Sequence, residues 1–282
     1  MNLCDLNDLR DLLGRHGFRF SKSMGQNFLI DPTVPRDIAD ASGASTEWGV
    51  LEIGPGVGPL TVELARRAGK VVSVELDRSL LPVLAETLAE YPHAEVISGD
   101  VMKLDLGGLL REKFGDRPVM ACANLPYNIT TPVLTKFVET EGIRQFTVMI
   151  QREVAQRICA APGSNRGSSF SLFLQYYMEP EYLFSVTPEK FYPAPKVTSA
   201  VVRCVRRERP PVETENEELL FQLMRGAFAL RRKTLANSLA SALGRPKEEL
   251  LDAIRAAGLP ETVRGEQLTF ADFAALCGNL NA

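Results

Sequence analysis

A short motif, Asn124-Leu125-Pro126-Tyr127, directly follows a predicted strand and could activate an aromatic amine. The exocyclic nitrogen of adenine is conjugated with its ring, so it is a poor nucleophile. Two acceptors aimed at its hydrogens, the Asn124 amide oxygen and the Leu125 carbonyl, would localise its lone pair. Pro126 fixes the turn, and the ring of Tyr127 offers a face for base stacking. We expect water to take the proton. The alternative is a structural turn with a buried tyrosine.

A glycine-rich turn lies upstream, in the segment LEIGPGVGPLT, between a predicted strand and a predicted helix. Gly54, Gly56 and Gly58 would let a ligand approach the backbone closely. The dinucleotide-binding pattern GxGxxG would place its third glycine at position 59, which is Pro59. This departure counts against NAD and its pyrophosphate, whereas a tight structural turn stays open as an alternative.

Two carboxylates follow the neighbouring predicted strands. Glu75 lies 21 residues after Gly54 and could accept two hydrogen bonds from a ribose diol. Asp100 could accept from the exocyclic amine of an adenine, or it could cap a helix. Together with the glycine turn, the two acids fit an adenosine ligand without phosphates. The sequence therefore points to S-adenosylmethionine as methyl donor.

The surrounding pattern predicts an α/β fold with a doubly wound sheet, because strand-like and helical segments alternate from residue 50 to residue 150. Two later strands, over 182–186 and 199–203, are expected to close the sheet as an antiparallel hairpin. Pro210-Pro211 is the best linker candidate, and four helical segments follow it. We expect a catalytic domain over 1–208 and a small helical domain over 209–282.

Composition excludes several classes of protein. The 282 residues are 45% hydrophobic and 24% charged, which is typical of a globular chain. No apolar run approaches the roughly 20 residues of a membrane span. Asp5, Asp8 and Asp11 stand where a signal peptide would be positive, so we expect a cytoplasmic protein. Five dispersed cysteines and two histidines argue against disulfides, a transition metal and a Ser-His-Asp hydrolase.

The charge distribution leaves room for a polyanionic partner. The net charge of −3 does not indicate one by itself. Two local basic clusters, within 203–209 and at Arg231-Arg232-Lys233, could nevertheless bind phosphates. The alternative is an ordinary solvated surface.

Seven ordered blocks make the sequence resemble the ribosomal RNA adenine dimethyltransferases, in particular those of the KsgA type. The blocks are GQNFLID (25–31), LEIGPGVGPLT (51–61), VELD (74–77), GDV (99–101), NLPYNIT (124–130), FYPAPKVTSAVVR (191–203) and FALRRKTLANSL (228–239). The resemblance implies a class I methyltransferase fold with an all-α C-terminal domain. It also implies dimethylation, by S-adenosylmethionine, of the N6 amines of two adjacent adenosines in the 3′-terminal hairpin of 16S rRNA.

The resemblance further implies the substrate particle and the site residues. The substrate would be RNA within an immature small ribosomal subunit, and we expect a monomer because that particle is itself large and asymmetric. The cofactor-contacting residues would be Asn27, Leu29, Gly54, Glu75, Asp100 and Asn124. The catalytic set would be Asn124, Leu125, Tyr127 and Phe191, with Phe191 stacking on the base opposite Tyr127. From the residues alone, Phe191 could equally be a core aromatic.

Three alternatives stay open. Erm-type enzymes methylate large-subunit (23S) RNA and share the core, but they typically read NIPY where this chain has Leu125, and they lack the RRKTLANSL block in this form. An NAD-dependent oxidoreductase is opposed by Pro59 and by the scarcity of histidine. A catalytically silent RNA-binding assembly factor is disfavoured by the intact Asn124-Leu125-Pro126-Tyr127 motif. We expect an unpaired or flipped-out target base and salt-dependent binding.

Overall fold

A computed structural model describes residues 1–19 and 26–281, so Gly25 of the GQNFLID block lies outside the described residues. The chain forms two compact units. The first contains Met1–Ala155 and Glu179–Arg206, and the second contains Gln156–Met178 and Arg207–Ala282. Among the described helices, none is both long and apolar enough to cross a bilayer.

The first unit is built around a mixed sheet. The described strands are β1 (Phe28–Leu29), β2 (Gly49–Ile53), β3 (Lys70–Glu75), β4 (Ala94–Ser98), β5 (Val119–Asn124), β6 (Ile143–Gln151), β7 (Met178–Val186), β8 (Phe191–Tyr192) and β9 (Ser199–Arg206). Seven of them form one sheet in the order β4-β3-β2-β5-β6-β9-β7. Strands β2 to β6 pair in parallel, and β9 pairs antiparallel with β6. The central strands β2 and β5 are buried along nearly their whole length, as expected for largely apolar strands inside a parallel sheet.

The helices described between residues 6 and 158 precede, connect or follow the parallel strands. They are α1 (Leu6–Arg15), α2 (Thr33–Ser42), α3 (Pro59–Ala65), α4 (Leu81–Thr87), α5 (Leu106–Phe114), α6 (Thr130–Glu139) and α7 (Arg152–Ile158). The predicted alternation of strands and helices from residue 50 to residue 150 is confirmed. The sequence analysis missed α1 and α5, as well as the short antiparallel pair β1 and β8.

The second unit is helical. Its helices are α8 (Ser169–Tyr177), α9 (Glu217–Ala227), α10 (Leu235–Leu243), α11 (Lys247–Ala256) and α12 (Phe270–Asn281). The four helices predicted after the linker are therefore confirmed. Their buried apolar faces form one core that includes Leu223, Leu239 and Phe273.

The division of the chain differs from the predicted boundary at residue 208. The first unit does end at Arg206, but Gln156–Met178 belongs to the second unit. The physical reason is helix α8, whose Leu172 and Tyr176 are buried in the same core as the C-terminal helices. The sequence analysis assigned residues 156–178 to the catalytic domain, whereas the structure assigns them to the helical unit.

Candidate active site

The functional residues of the first unit are brought together by the register of its parallel strands. The residue after each strand continues the hydrogen-bond ladder onto its neighbour: Gly54 N donates to Val74 O at 3.0 Å, and Gly99 N donates to Glu75 O at 2.9 Å. Leu125 N likewise donates to Met149 O at 3.1 Å. Because parallel strands end at the same sheet edge, the predicted motifs after β2, β3, β4 and β5 meet there.

A cavity of about 320 Å³ opens at this edge, a volume within the range of small-molecule sites. Every site residue expected from the sequence lines it. These residues are Asn27, Leu29, Gly54, Glu75, Asp100, Asn124, Leu125, Tyr127 and Phe191. Residues more than 160 positions apart in the chain thus share one site, as in the case of Asn27 and Phe191.

The cavity wall is acidic. Four acidic residues line it, namely Glu52, Glu75, Asp77 and Asp100, and no Lys, Arg or His is found among the described lining residues. Such a wall favours a cation and disfavours a phosphate. The sulfonium and ammonium groups of S-adenosylmethionine fit this charge, whereas the pyrophosphate of NAD does not.

Glu75 is held ready to accept hydrogen bonds. The side chain is only 5% exposed. Asp77 N donates to one carboxylate oxygen at 2.7 Å, and Gly56 N donates to the other at 3.4 Å. Burial raises the pKa of Glu75, and these backbone bonds oppose the rise. Each oxygen retains acceptor capacity, which is what two ribose hydroxyls would need.

Asp100 both caps a turn and lines the cavity. One oxygen accepts from Met102 N at 2.9 Å, so the carboxylate does cap the turn after β4. The side chain also lines the cavity beside Met102 and Leu76, whose exposed fractions are 39% and 51%. Sequence reasoning missed these two apolar residues. The available signal was that each lies within two positions of a predicted ligand-binding acid.

The glycine turn requires its glycines. Gly54, Gly56 and Gly58 have φ values of 67°, 63° and 93°, a region that residues with a Cβ avoid. A Cβ on Gly56 would also lie 3.2 Å from the Phe28 ring. The turn therefore lets the N-terminal segment approach the backbone of the site closely.

The antiparallel pair of β1 and β8 joins the N-terminal segment to the strand that contains Phe191. Leu29 pairs with Phe191, and both line the cavity. Phe191 is only 3% exposed and belongs to the apolar cluster of the unit, so it is a core aromatic as well as a wall residue.

Lys190, the residue before β8, forms an ion pair with Asp31. The hydrogen bond from Lys190 lowers the pKa of Asp31 to about 2.

The motif after β5 presents two unoccupied acceptors. Among the described residues, nothing donates a hydrogen bond to the Asn124 amide oxygen or to the Leu125 carbonyl. The carbonyl of Pro126, in contrast, accepts from Ile129 N at 3.2 Å. Tyr127 is half-buried, and its hydroxyl lies 2.7 Å from Ser199 Oγ. Burial raises the pKa of the Tyr127 phenol, and the Ser199 hydrogen bond opposes the rise.

Glu52, in the middle of the LEIG segment, is a further acid that the sequence analysis did not single out. Its carboxylate accepts hydrogen bonds from Thr61 Oγ1 and Ser73 Oγ, each at 2.7 Å. Burial raises the pKa of Glu52 to about 7, although both hydrogen bonds oppose the rise. The sequence signal was a charged residue inside an otherwise apolar strand. Among the described residues, no group of three or more His, Cys, Asp or Glu could hold a metal ion.

The fold and the cavity define a class I S-adenosylmethionine-dependent methyltransferase. The family model described as "Ribosomal RNA adenine dimethylase" matches residues 17–276. The chain belongs to this family. The predicted fold class, methyltransferase activity and methyl donor are therefore confirmed.

Curated relatives agree over nearly the full chain. A protein of Geobacillus thermodenitrificans named "Ribosomal RNA small subunit methyltransferase A" is 46% identical over 276 residues, covering 96% of this chain and 94% of its own. A protein of Alkaliphilus oremlandii with the same name is 44% identical over 273 residues, covering 96% and 95%. The resemblance expected from the sequence blocks is thus confirmed.

Two solved structures have the same architecture. The crystal structure of the 23S rRNA methyltransferase ErmE superposes with a TM-score of 0.72 at 27% identity, covering 91% of this chain and 100% of that one. A dimethyladenosine transferase from Plasmodium falciparum gives a TM-score of 0.74 at 24% identity, covering 90% and 97%. The second likeness concerns the fold alone.

Proposed function

We propose that this protein transfers methyl groups from S-adenosylmethionine to the N6 amines of two adjacent adenosines in the 3′-terminal hairpin of 16S rRNA. The observation that carries the proposal is the pair of unoccupied acceptors, the Asn124 amide oxygen and the Leu125 carbonyl, in an acid-lined cavity. An aromatic amine with two N–H groups is the chemistry that two neighbouring acceptors recognise.

The donor would lie along the ends of β2, β3 and β4. Glu75 would accept from the ribose hydroxyls, and Asp100 would accept from the exocyclic amine of the adenine through its uncapped oxygen. Leu76 and Met102 would pack against the faces of the adenine ring, because both are exposed apolar side chains of the cavity wall. Asn27 and Leu29 would contact the donor from β1 and the residue before it.

The target base would lie between Tyr127 and Phe191, with its amine against Asn124 and Leu125. When bound, S-adenosylmethionine supplies an electrophilic methyl carbon. The two acceptors direct the nitrogen lone pair at that carbon, the N–C bond forms as the C–S bond breaks, and water takes the proton from nitrogen. The acid-lined wall stabilises the positive charge that passes from sulfur to nitrogen.

The small subunit is favoured over the large one by the named relatives. Those at 44–46% identity are named for the small subunit, whereas ErmE, named for 23S rRNA, is 27% identical. The Leu125 position and the RRKTLANSL block support the same choice. We also propose an immature subunit as the substrate particle, a monomeric enzyme and a cytoplasmic location.

The test is methylation of small subunits isolated from an unmodified strain, with labelled donor and mapping of the products. We expect two adjacent N6,N6-dimethyladenosines near the 3′ end. Asn124→Ala should lower transfer roughly 10²–10³-fold, because it removes one of two preorganised acceptors. Asn7→Ala, an exposed asparagine of α1, is the control. No label on 16S rRNA, or label on a ring carbon or on ribose, would contradict the proposal, as would full turnover by Asn124→Ala.

A further inference from the structure

Tyr127 is anchored at the far end of its ring by a buried serine. The phenolic oxygen lies 2.7 Å from Ser199 Oγ. Ser199 is 1% exposed and does not line the cavity. We propose that Ser199 is a positioning residue that holds the Tyr127 ring in the orientation needed for methyl transfer. This inference rests on the proposed function, because it assigns a purpose to the stacking ring of the same site.

The hydrogen bond restricts one motion of the ring and permits another. The phenolic oxygen lies on the axis that joins Cβ to the far end of the ring. Rotation of the ring about that axis leaves the oxygen in place, whereas a change of χ1 moves it by several ångströms. The bond to Ser199 therefore fixes where the ring stands. A side chain at a half-buried position has room for such a change unless its end is held.

Two attachments fix the ring relative to the acceptors. Leu125 N donates to Met149 O at 3.1 Å, which ties the acceptor end of the motif to β6. Ser199 is the first residue of β9 and pairs in register with Gln151, the last residue of β6. The ring and the acceptor carbonyl are thus held by two strands that are bonded to each other. The sheet therefore restrains their separation in addition to the turn at Pro126.

Methyl transfer is sensitive to this separation. A base stacked on Tyr127 takes its plane from the ring, while its amine takes its direction from Asn124 and Leu125. If the Tyr127 ring could change its χ1, the base could still stack on it in positions where the nitrogen lone pair does not point at the methyl carbon. The loss should therefore appear in kcat. The KM for the donor should change little, because Ser199 does not reach the cavity wall.

A purely structural role makes a different prediction. Removing either hydroxyl leaves the other with no partner at this contact, which lowers thermal stability whether or not the ring matters. Thr147 supplies a control for the removal of a buried hydroxyl that is not bonded to Tyr127. Its buried Oγ1 on β6 has no hydrogen-bond partner among the described residues. Thr147→Val therefore removes a buried hydroxyl of the same sheet without touching Tyr127.

The experiment is a double-mutant cycle in the full chain, with methylation of unmodified small subunits at saturating donor. We expect Ser199→Ala and Tyr127→Phe each to lower kcat about 3–10-fold, the effect of one lost hydrogen bond. The double variant should be no slower than the slower single variant. Ser199→Thr, which restores a hydroxyl, should recover most of kcat, and Thr147→Val should leave kcat unchanged.

Each contrary result has a distinct meaning. If the unaltered protein dimethylates the two adenosines but Tyr127→Phe keeps full kcat, the positioning role is overturned and the proposed function stands. Multiplicative losses in the double variant would overturn the role in the same way. If Ser199→Ala does not fold, Tyr127→Phe and Ser199→Thr still test the hydrogen bond. The first removes the phenolic hydroxyl, and the second keeps a hydroxyl at position 199. No transfer to adenosine by the unaltered protein would overturn the proposed function, and this role with it.

Discussion

Glu52 and Thr61 form a hydrogen bond of 2.7 Å between two side chains that are both buried, so the strand β2 and the helix α3 are tied together beneath the glycine turn. Ser73 on β3 donates to the same carboxylate oxygen. The carboxylate thus links three consecutive elements around the Gly54 turn. A charge at this depth is costly, which is why burial raises the pKa of Glu52 to about 7.

Because of Glu52, the free energy of unfolding should decrease as the pH rises towards neutrality. The raised pKa means that the folded protein holds a proton which the unfolded chain has already released, so the free energy of unfolding decreases from about pH 4.5 to about pH 7. Between pH 5 and pH 8, the unaltered protein should lose roughly 2–3 kcal/mol more than Glu52→Gln does. Urea denaturation at both pH values measures this. Parallel losses in the two proteins would contradict it, and Glu90→Gln, an exposed acid, is the control.

Glu75→Gln should weaken donor binding without unfolding the chain. The amide keeps the shape of the side chain but replaces one carboxylate oxygen, so it can no longer accept from two ribose hydroxyls and two backbone N–H groups at once. We expect a loss of roughly 1–3 kcal/mol in affinity for S-adenosylmethionine. Calorimetric titration measures it, again with Glu90→Gln as control. Unchanged affinity would remove Glu75 from the donor site.

Two glycine-to-alanine changes should act in opposite directions. Gly56→Ala places a Cβ at positive φ and 3.2 Å from the Phe28 ring, so it should destabilise the fold by about 1–2 kcal/mol and weaken donor binding. Gly14→Ala lies within α1 with no atom within 4 Å of the new Cβ, so it should raise stability by about 0.5–1 kcal/mol. Thermal melts compare the two. Equal shifts would contradict the assignment of the turn.

RNA binding should weaken steeply with salt, and the exposed cluster Arg231-Arg232-Lys233 should contribute to the slope. Arg232→Gln and Lys233→Gln should each reduce the slope of log affinity against log salt by about one if each contacts a phosphate. Filter binding to small subunits over a salt series measures the slope. Arg36→Gln, an exposed arginine of α2, is the control. A slope unchanged in both variants would show that the cluster is an ordinary solvated surface.

The sequence predicted the parallel strands and the cavity residues well, because these depend on local signals. In each case a short apolar run ends at Gly54, Glu75 or Asn124. The run predicts a strand, and the residue at its end is the predicted site residue. Parallel pairing then brings the ends together without any knowledge of side-chain packing. Six of the nine expected site residues line the cavity for this reason, whereas Asn27, Leu29 and Phe191 were implied by the family resemblance. Their roles in binding and transfer stay predictions.

Features that depend on long-range contacts were missed. The helix α1 had a readable start, since Asp5 accepts hydrogen bonds from Asn7 N and Asp8 N and three leucines share its buried face. The pair β1–β8 had none, because each strand is two residues long and its partner is distant in the chain. The assignment of α8 to the helical unit likewise depends on packing with residues after position 206. Local pattern carries no information about such partners.

The acid-lined cavity has a consequence for turnover. S-adenosylmethionine carries a sulfonium, whereas the spent molecule, S-adenosylhomocysteine, is a neutral thioether. A wall that contains Glu75, Asp77 and Asp100 with no described basic side chain would attract the former and give no such electrostatic advantage to the latter. In the proposed reaction, transfer of the methyl group therefore removes this electrostatic contribution to the binding of the adenosyl molecule.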